Sequence, residues 1–154
     1  MYPCELQEQA ARHALSIRFR SAVQDLPAHF ERVYGSIMQY LGALGEEHTR
    51  AAFAAYYNMD MQSLDVEAGF PVARPLPGKG DIRAAEIPGG TVAVCHYTGP
   101  YDQVGPAYEQ LMQFIKEKGY TVSGAAYEWY LNGPCDVSPQ DLKTDIVLPV
   151  MRIG

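Results

Sequence analysis

Glu128 is the side chain in this sequence whose setting most favours chemistry. It stands in Tyr127-Glu128-Trp129-Tyr130, an acid inside an aromatic run that contains no basic residue. On a strand alternate residues share a face, so Ala126, Glu128 and Tyr130 point one way and Tyr127, Trp129 and Leu131 the other. A carboxylate removed from water there is costly unless it is paired, or else its pKa rises and it takes up a proton. An acid ringed by aromatics suits a flat organic cation, with stacking faces and one counter-charge. A carboxyl tuned by burial also suits general acid or base work. The plain alternative is an acid that faces water on a half-exposed sheet or pairs with a buried cation.

The surrounding aromatics carry two readings each. Trp129 lines a ligand groove or packs with Tyr127 and Leu131 against helices. Tyr97 and Tyr101 flank the turn Thr98-Gly99-Pro100 and form a groove lip or a staple for the following helix; Tyr101 favours the staple. His96 is expected to be a hydrogen-bonded structural residue. Cys4, Cys95 and Cys135 form no CxxC, and His13, His29, His48 and His96 form no HxxxH or HExxH. No metal and no cofactor are therefore expected, nor a structural zinc or disulfide framework, and a reducing compartment fits. Cys95, inside an apolar run, reads as a small core residue. No Ser-His-Asp or Cys-His arrangement emerges from spacing, and Gly78-Lys79-Gly80 lacks the spacing of a phosphate-binding loop.

The elements that must position Glu128 emerge from an internal repeat. At an offset of 74 residues, Ile37-Met38-Gln39-Tyr40-Leu41 falls on Leu111-Met112-Gln113-Phe114-Ile115, and Gly45 falls on Gly119. At the same offset AAFAAYYN (51–58) falls on AAYEWYLN (125–132), with four of eight positions identical. After a four-residue insertion Gly69-Phe70-Pro71-Val72 falls on Val147-Leu148-Pro149-Val150. One domain over 1–154 is expected, with halves 4–74 and 83–152 joined by a Pro- and Gly-rich linker, 75–82.

Each half reads as β-α-β-β. The first strands are Ala14–Arg20 and Thr91–Tyr97. Leu26, Phe30, Val33, Ile37, Leu41 and Leu44 recur at helical spacing, as do Val104, Tyr108, Leu111 and Phe114/Ile115. Asp25 and Asp102 are placed as N-caps, and Gly119 ends the second helix. Two strands close each half: Ala51–Asn58 with Asp65–Val72, and Gly124–Leu131 with Lys143–Met151. A turn at Asn132–Asp136 separates the last two. The fold class is α+β: duplicated β-α-β-β units with pseudo-twofold symmetry, antiparallel sheets enclosing a ligand groove, and helices on the outer face. Where the first half has Ala54-Ala55, the second has Glu128-Trp129. Tyr56, the repeat mate of Tyr130, is expected across the pseudo-twofold.

Composition narrows the function classes. The chain has 154 residues, a net charge of −6, 47% hydrophobic and 19% charged residues. Its pI is near 5.1. Disorder is excluded by the apolar content, and sequence-independent nucleic-acid binding by the want of clustered Lys and Arg. No apolar run is long enough to span a membrane, and the N-terminus lacks signal-peptide character. Direct nucleic-acid and membrane partners are not expected, and the cytoplasm is the default compartment. Eleven Tyr, five Phe and one Trp give an aromatic excess that suits flat ligands.

The run Tyr97-Thr98-Gly99-Pro100-Tyr101, the strand Tyr127–Asn132 and the ending Lys143-Thr144-Asp145-Ile146-Val147-Leu148-Pro149-Val150 resemble the GyrI-like small-molecule-binding domain. That domain is also the effector-binding half of AraC-type and MerR-type multidrug regulators. The resemblance implies a duplicated βαββ fold around a ligand groove. It carries the family's acid onto Glu128 and its aromatic lining onto Tyr56, Trp129 and Tyr130. The implied partner is an aromatic or cationic small molecule of drug type. The chain has no room for a helix-turn-helix, so it resembles stand-alone members. Some of these resemble hydrolases that open strained cyclopropane rings of DNA-alkylating natural products, which would make Glu128 catalytic. Others interact with DNA gyrase as inhibitors. Binding without chemistry is preferred, and a monomer or homodimer is expected.

Overall fold

The computed structural model describes residues 2–48, 51–133 and 135–153. Pro134, in the turn expected at Asn132–Asp136, lies outside them. In chain order the elements are β1 (Cys4–Gln9), β2 (Arg12–Ser21), α1 (Leu26–Leu44), β3 (Ala52–Tyr56), β4 (Leu64–Val72), β5 (Arg83–Ile87), β6 (Gly90–Thr98), α2 (Gly105–Glu117), β7 (Tyr120–Val122), β8 (Ala126–Tyr130) and β9 (Lys143–Arg152). The strands are antiparallel and the class is α+β. The chain divides into two compact units, one of Ala10–Gly89 and one of Met1–Gln9 with Gly90–Gly154.

In the unit of Ala10–Gly89 the strand order is β5-β2-β4-β3. Strand β2 alternates: Leu15 and Ile17 enter the core, while Arg18 and Arg20 face out toward Asp65. Helix α1 buries Leu26, Val33, Ile37 and Leu41. Each such side chain contributes roughly 1.5–3 kcal/mol when removed from water. Val33, Ile37 and Leu41 meet Leu15, Ile17, Ala68, Phe70 and Val72. The helix stops at Gly45, whose φ of 70° lets the amides of Gly45 and Glu46 reach the carbonyls of Gly42 and Leu41. Asp25 occupies the N-cap position without a side-chain cap bond. The stretch expected as a linker is packed: Leu76 and Ile82 are buried in the same core, and Lys79 and Ile82 exchange main-chain bonds.

In the other unit the order is β1-β6-β9-β8, and β7 pairs with the end of β9. Its core sets Ala93, Cys95, Tyr97, Ile146, Leu148 and Val150 against Ala107, Leu111 and Ile115 of α2. Helix α2 begins later than Asp102 suggests. A 3-10 turn at Tyr101–Gln103 precedes it, Val104 is its N-cap, and Pro106 sits in the first turn, where no N–H is missed. Strands β1, β5 and β7 extend the expected pattern. The first two are sheet edges with mostly exposed or half-buried residues, and β7 is only three residues long.

Candidate ligand-binding site

The site is built on β8. Tyr127 and Trp129 are buried on one face, and Ala126, Glu128 and Tyr130 are half-buried on the other. Glu128 lies level with Ile146 of β9. Ile146 packs against α2, so the face carrying Glu128 is the face the helix covers. That geometry brings Tyr108 of α2 to Glu128: its hydroxyl donates to Oε2 at 2.5 Å. The Tyr130 hydroxyl donates to Oε1 at 3.0 Å. Tyr101, from the turn before α2, meets the Tyr130 ring edge-on, with centroids 5.6 Å apart.

The electrostatics follow from this packing. Burial lifts the Glu128 carboxyl above its ordinary range, and the two tyrosine bonds only partly oppose that rise. Yet the residue keeps part of its surface open. The carboxyl is thus crowded by protein, while the residue as a whole is half-buried. Among the described residues, no cation pairs with Glu128; the charge pairs involve Asp65, Glu46, Glu5 and Asp145. Tyr101 is 41% exposed, and burial, followed by the Glu128 charge, raises its phenol pKa. One carboxyl and three phenol rings are thus gathered where β8 meets α2 and the turn before it.

The remaining candidates sit elsewhere. Trp129 points away from Glu128 and is level with Asp145, which is itself level with His96. His96 Nδ1 meets Asp145 Oδ1 at 2.7 Å and Nε2 lies 3.5 Å from Glu5 Oε2, the hydrogen-bonded structural setting expected of it. Tyr97 is 2% exposed and donates its hydroxyl to the Pro100 carbonyl at 2.6 Å. Tyr2 packs edge-on against its ring. Tyr56 is a half-buried residue of β3, level with Val66, in the unit of Ala10–Gly89. Among the described residues, no cluster of three or more His, Cys, Asp or Glu is placed to hold a metal, and no helix is long and apolar enough to cross a membrane.

Tyr108 is the site residue that sequence reasoning did not single out. It falls on the apolar period of α2 and so reads as core. The repeat held a signal: its mate is Tyr34, whose hydroxyl donates to the main-chain carbonyl of Phe53 at 2.8 Å. The same helical position thus bonds a carbonyl in one unit and a carboxylate in the other.

The chain belongs to the GyrI-like small molecule binding domain family, whose model matches residues 2–151. Among solved structures, the EcmrR C-terminal domain is 24% identical with a TM-score of 0.90, each chain covered to 99%. EcmrR in its DNA complex is 25% identical with a TM-score of 0.88; there 99% of this chain matches and spans 58% of that longer chain. A hydrolase encoded by lin2189 of Listeria innocua is 12% identical with a TM-score of 0.71, covering 96% of this chain and 91% of that one. SAV2435 bound to tetraphenylphosphonium is 15% identical with a TM-score of 0.60, each chain covered to 97%. No curated protein matches the chain.

Proposed function

We propose that this domain binds flat, apolar or cationic small molecules, with Glu128 as counter-charge and Tyr101, Tyr108 and Tyr130 as its immediate surroundings. The supporting observation is the carboxyl itself: crowded by protein, bonded only by hydroxyls, and without a cation among the described residues. A bound cation would offset, through its attraction, part of the desolvation cost that burial places on the anion. The relative bound to tetraphenylphosphonium shares the fold and supplies a probe.

A second reading rests on the same raised carboxyl. A proton held on Glu128 beside two phenols can be delivered to a leaving group, which is what a hydrolase requires. One experiment separates the two. Tetraphenylphosphonium and neutral triphenylphosphine oxide are titrated into the wild type and Glu128→Gln by calorimetry. A strained cyclopropane compound is incubated with both proteins and its mass followed. Binding of the phosphonium, weakened about tenfold or more in Glu128→Gln, with the oxide unaffected by the substitution, supports the binding reading. Gain of one water by the strained compound, lost in the variant, supports the hydrolase. Phosphonium affinity unchanged in Glu128→Gln would overturn the counter-charge role.

A further inference from the structure

Cys4 of β1 and Cys95 of β6 stand directly opposite each other in the same unit. Their pairing type follows from their neighbours. The His96 amide donates to the Pro3 carbonyl at 2.9 Å, so Pro3 and His96 form the hydrogen-bonded couple. Cys4 and Cys95, one step along, form a non-hydrogen-bonded couple. In such a couple the Cα atoms are about 4.5 Å apart and the side chains lean together. A disulfide joins Cα atoms about 4.4–6.8 Å apart. The register therefore allows the two sulfurs to be bonded without moving either strand; in the reduced form the Cys4 thiol donates to the Tyr2 carbonyl at 3.6 Å.

We propose that Cys4 and Cys95 are a modification site: a reversible cross-strand disulfide that staples the edge strand β1 to β6. Both cysteines are free in the structure described, so the disulfide is the oxidised form of this pair. Cys4 is half-buried and Cys95 is fully buried. Burial, then the neighbouring Cys4, pushes the Cys95 thiol up to about 12. Cys4 is thus the entry point for a small oxidant such as oxidised glutathione. The Cys4 thiolate attacks one glutathione sulfur; the new S–S bond forms and one glutathione thiolate leaves. Cys95 then loses its proton to solvent and attacks the Cys4 sulfur, and the second glutathione leaves. Two protein thiols are oxidised while one glutathione disulfide becomes two thiols. The second step is slow at neutral pH because little Cys95 is thiolate, and it quickens as pH rises.

The staple acts where β1 meets α2. The Tyr2 amide donates to Gln110 Oε1 at 3.0 Å, and Gln110 Nε2 returns a bond to the Tyr2 carbonyl. Gln110 lies two residues from Tyr108, so the stapled strand braces the helix that carries the Glu128 partner.

The test is to oxidise the full chain with oxidised glutathione in mildly alkaline buffer, then map its peptides without reduction. The expected product has lost two hydrogens, carries a Cys4–Cys95 linked peptide, and melts higher than the reduced protein until dithiothreitol reverses it. Cys135→Ser, which removes the exposed third thiol, leaves this result unchanged. Cys4→Ser abolishes it, and Cys95→Ala does the same as a second variant. A persistent glutathione adduct on Cys4 with Cys95 still alkylatable would overturn the proposal. So would a product containing only dimers linked through Cys135.

Discussion

The hydroxyl of Tyr108, on α2, donates to Oε2 of Glu128, on β8, at 2.5 Å. This contact ties the helix to the acidic strand and helps set the charge of the candidate site. Burial raises the Glu128 pKa, and the Tyr108 bond is the larger of the two hydrogen-bond effects opposing the rise.

Tyr108→Phe keeps the ring and removes the bond. The Glu128 carboxyl then rises further, because one of two interactions favouring its charged form is gone. At neutral pH less of it is ionised. Tetraphenylphosphonium affinity is expected to fall by a few-fold to about tenfold, in line with about 1 kcal/mol for such a bond. The pH at which affinity is half-maximal moves upward. Calorimetric titrations across pH read both effects, and an unchanged midpoint would refute the coupling.

Glu128 also links stability to pH, with a definite sign. Its folded pKa is raised above the ordinary 4.5. Its contribution is therefore complete below 4.5 and is lost as pH rises through the folded value. Wild type minus Glu128→Gln gives the difference with other titrating groups cancelled. That difference in melting temperature is expected to move against the wild type as pH climbs from 4.5. Ligand-free samples are required, since a bound cation reverses the sign.

Gly69 of β4 faces Ser16 of β2. A Cβ there would stand 2.0 Å from the Leu15 carbonyl oxygen, which is backbone and has no room to yield. Gly69→Ala must therefore spread β2 from β4 at the centre of their sheet. The expected loss is at least the upper part of the about 1–3 kcal/mol typical of overpacking, read as a lower urea midpoint. Gly35→Ala is the control: its added Cβ meets nothing within 4 Å.

What could be read from the sequence depended on how strongly packing marks it. Helix α1 was legible because Leu26, Val33, Ile37 and Leu41 all turn inward at helical spacing. Strand β1, Cys-Glu-Leu-Gln-Glu-Gln, was not; an edge strand with two acids and no buried residue carries too weak a pattern. Glu128 stood out because its repeat mate is alanine. Tyr108 did not, since a tyrosine on an apolar helix face looks like core until its hydroxyl has a partner. Strand alternation separated Trp129 from Glu128, but it could not say which face α2 covers. That depends on the register of Glu128 with Ile146.

His96 gives the last prediction, and its sign is also fixed. Asp145 on β9 and Glu5 on β1 face its ring, and they raise its pKa above the ordinary 6.5, the Asp145 hydrogen bond most of all. The contribution of the charged ring is present below 6.5 and is lost as pH rises through the raised folded value. His96→Asn removes it. The urea midpoints of wild type and variant should differ most below 6.5 and converge above the folded value. Trp129, the single tryptophan, lies level with Asp145 on the neighbouring strand, so its fluorescence reports unfolding beside the pair. Because the ring is 40% exposed, salt should shrink the difference. A gap between the two midpoints that stays constant across pH would show that His96 acts through packing and not through its charge.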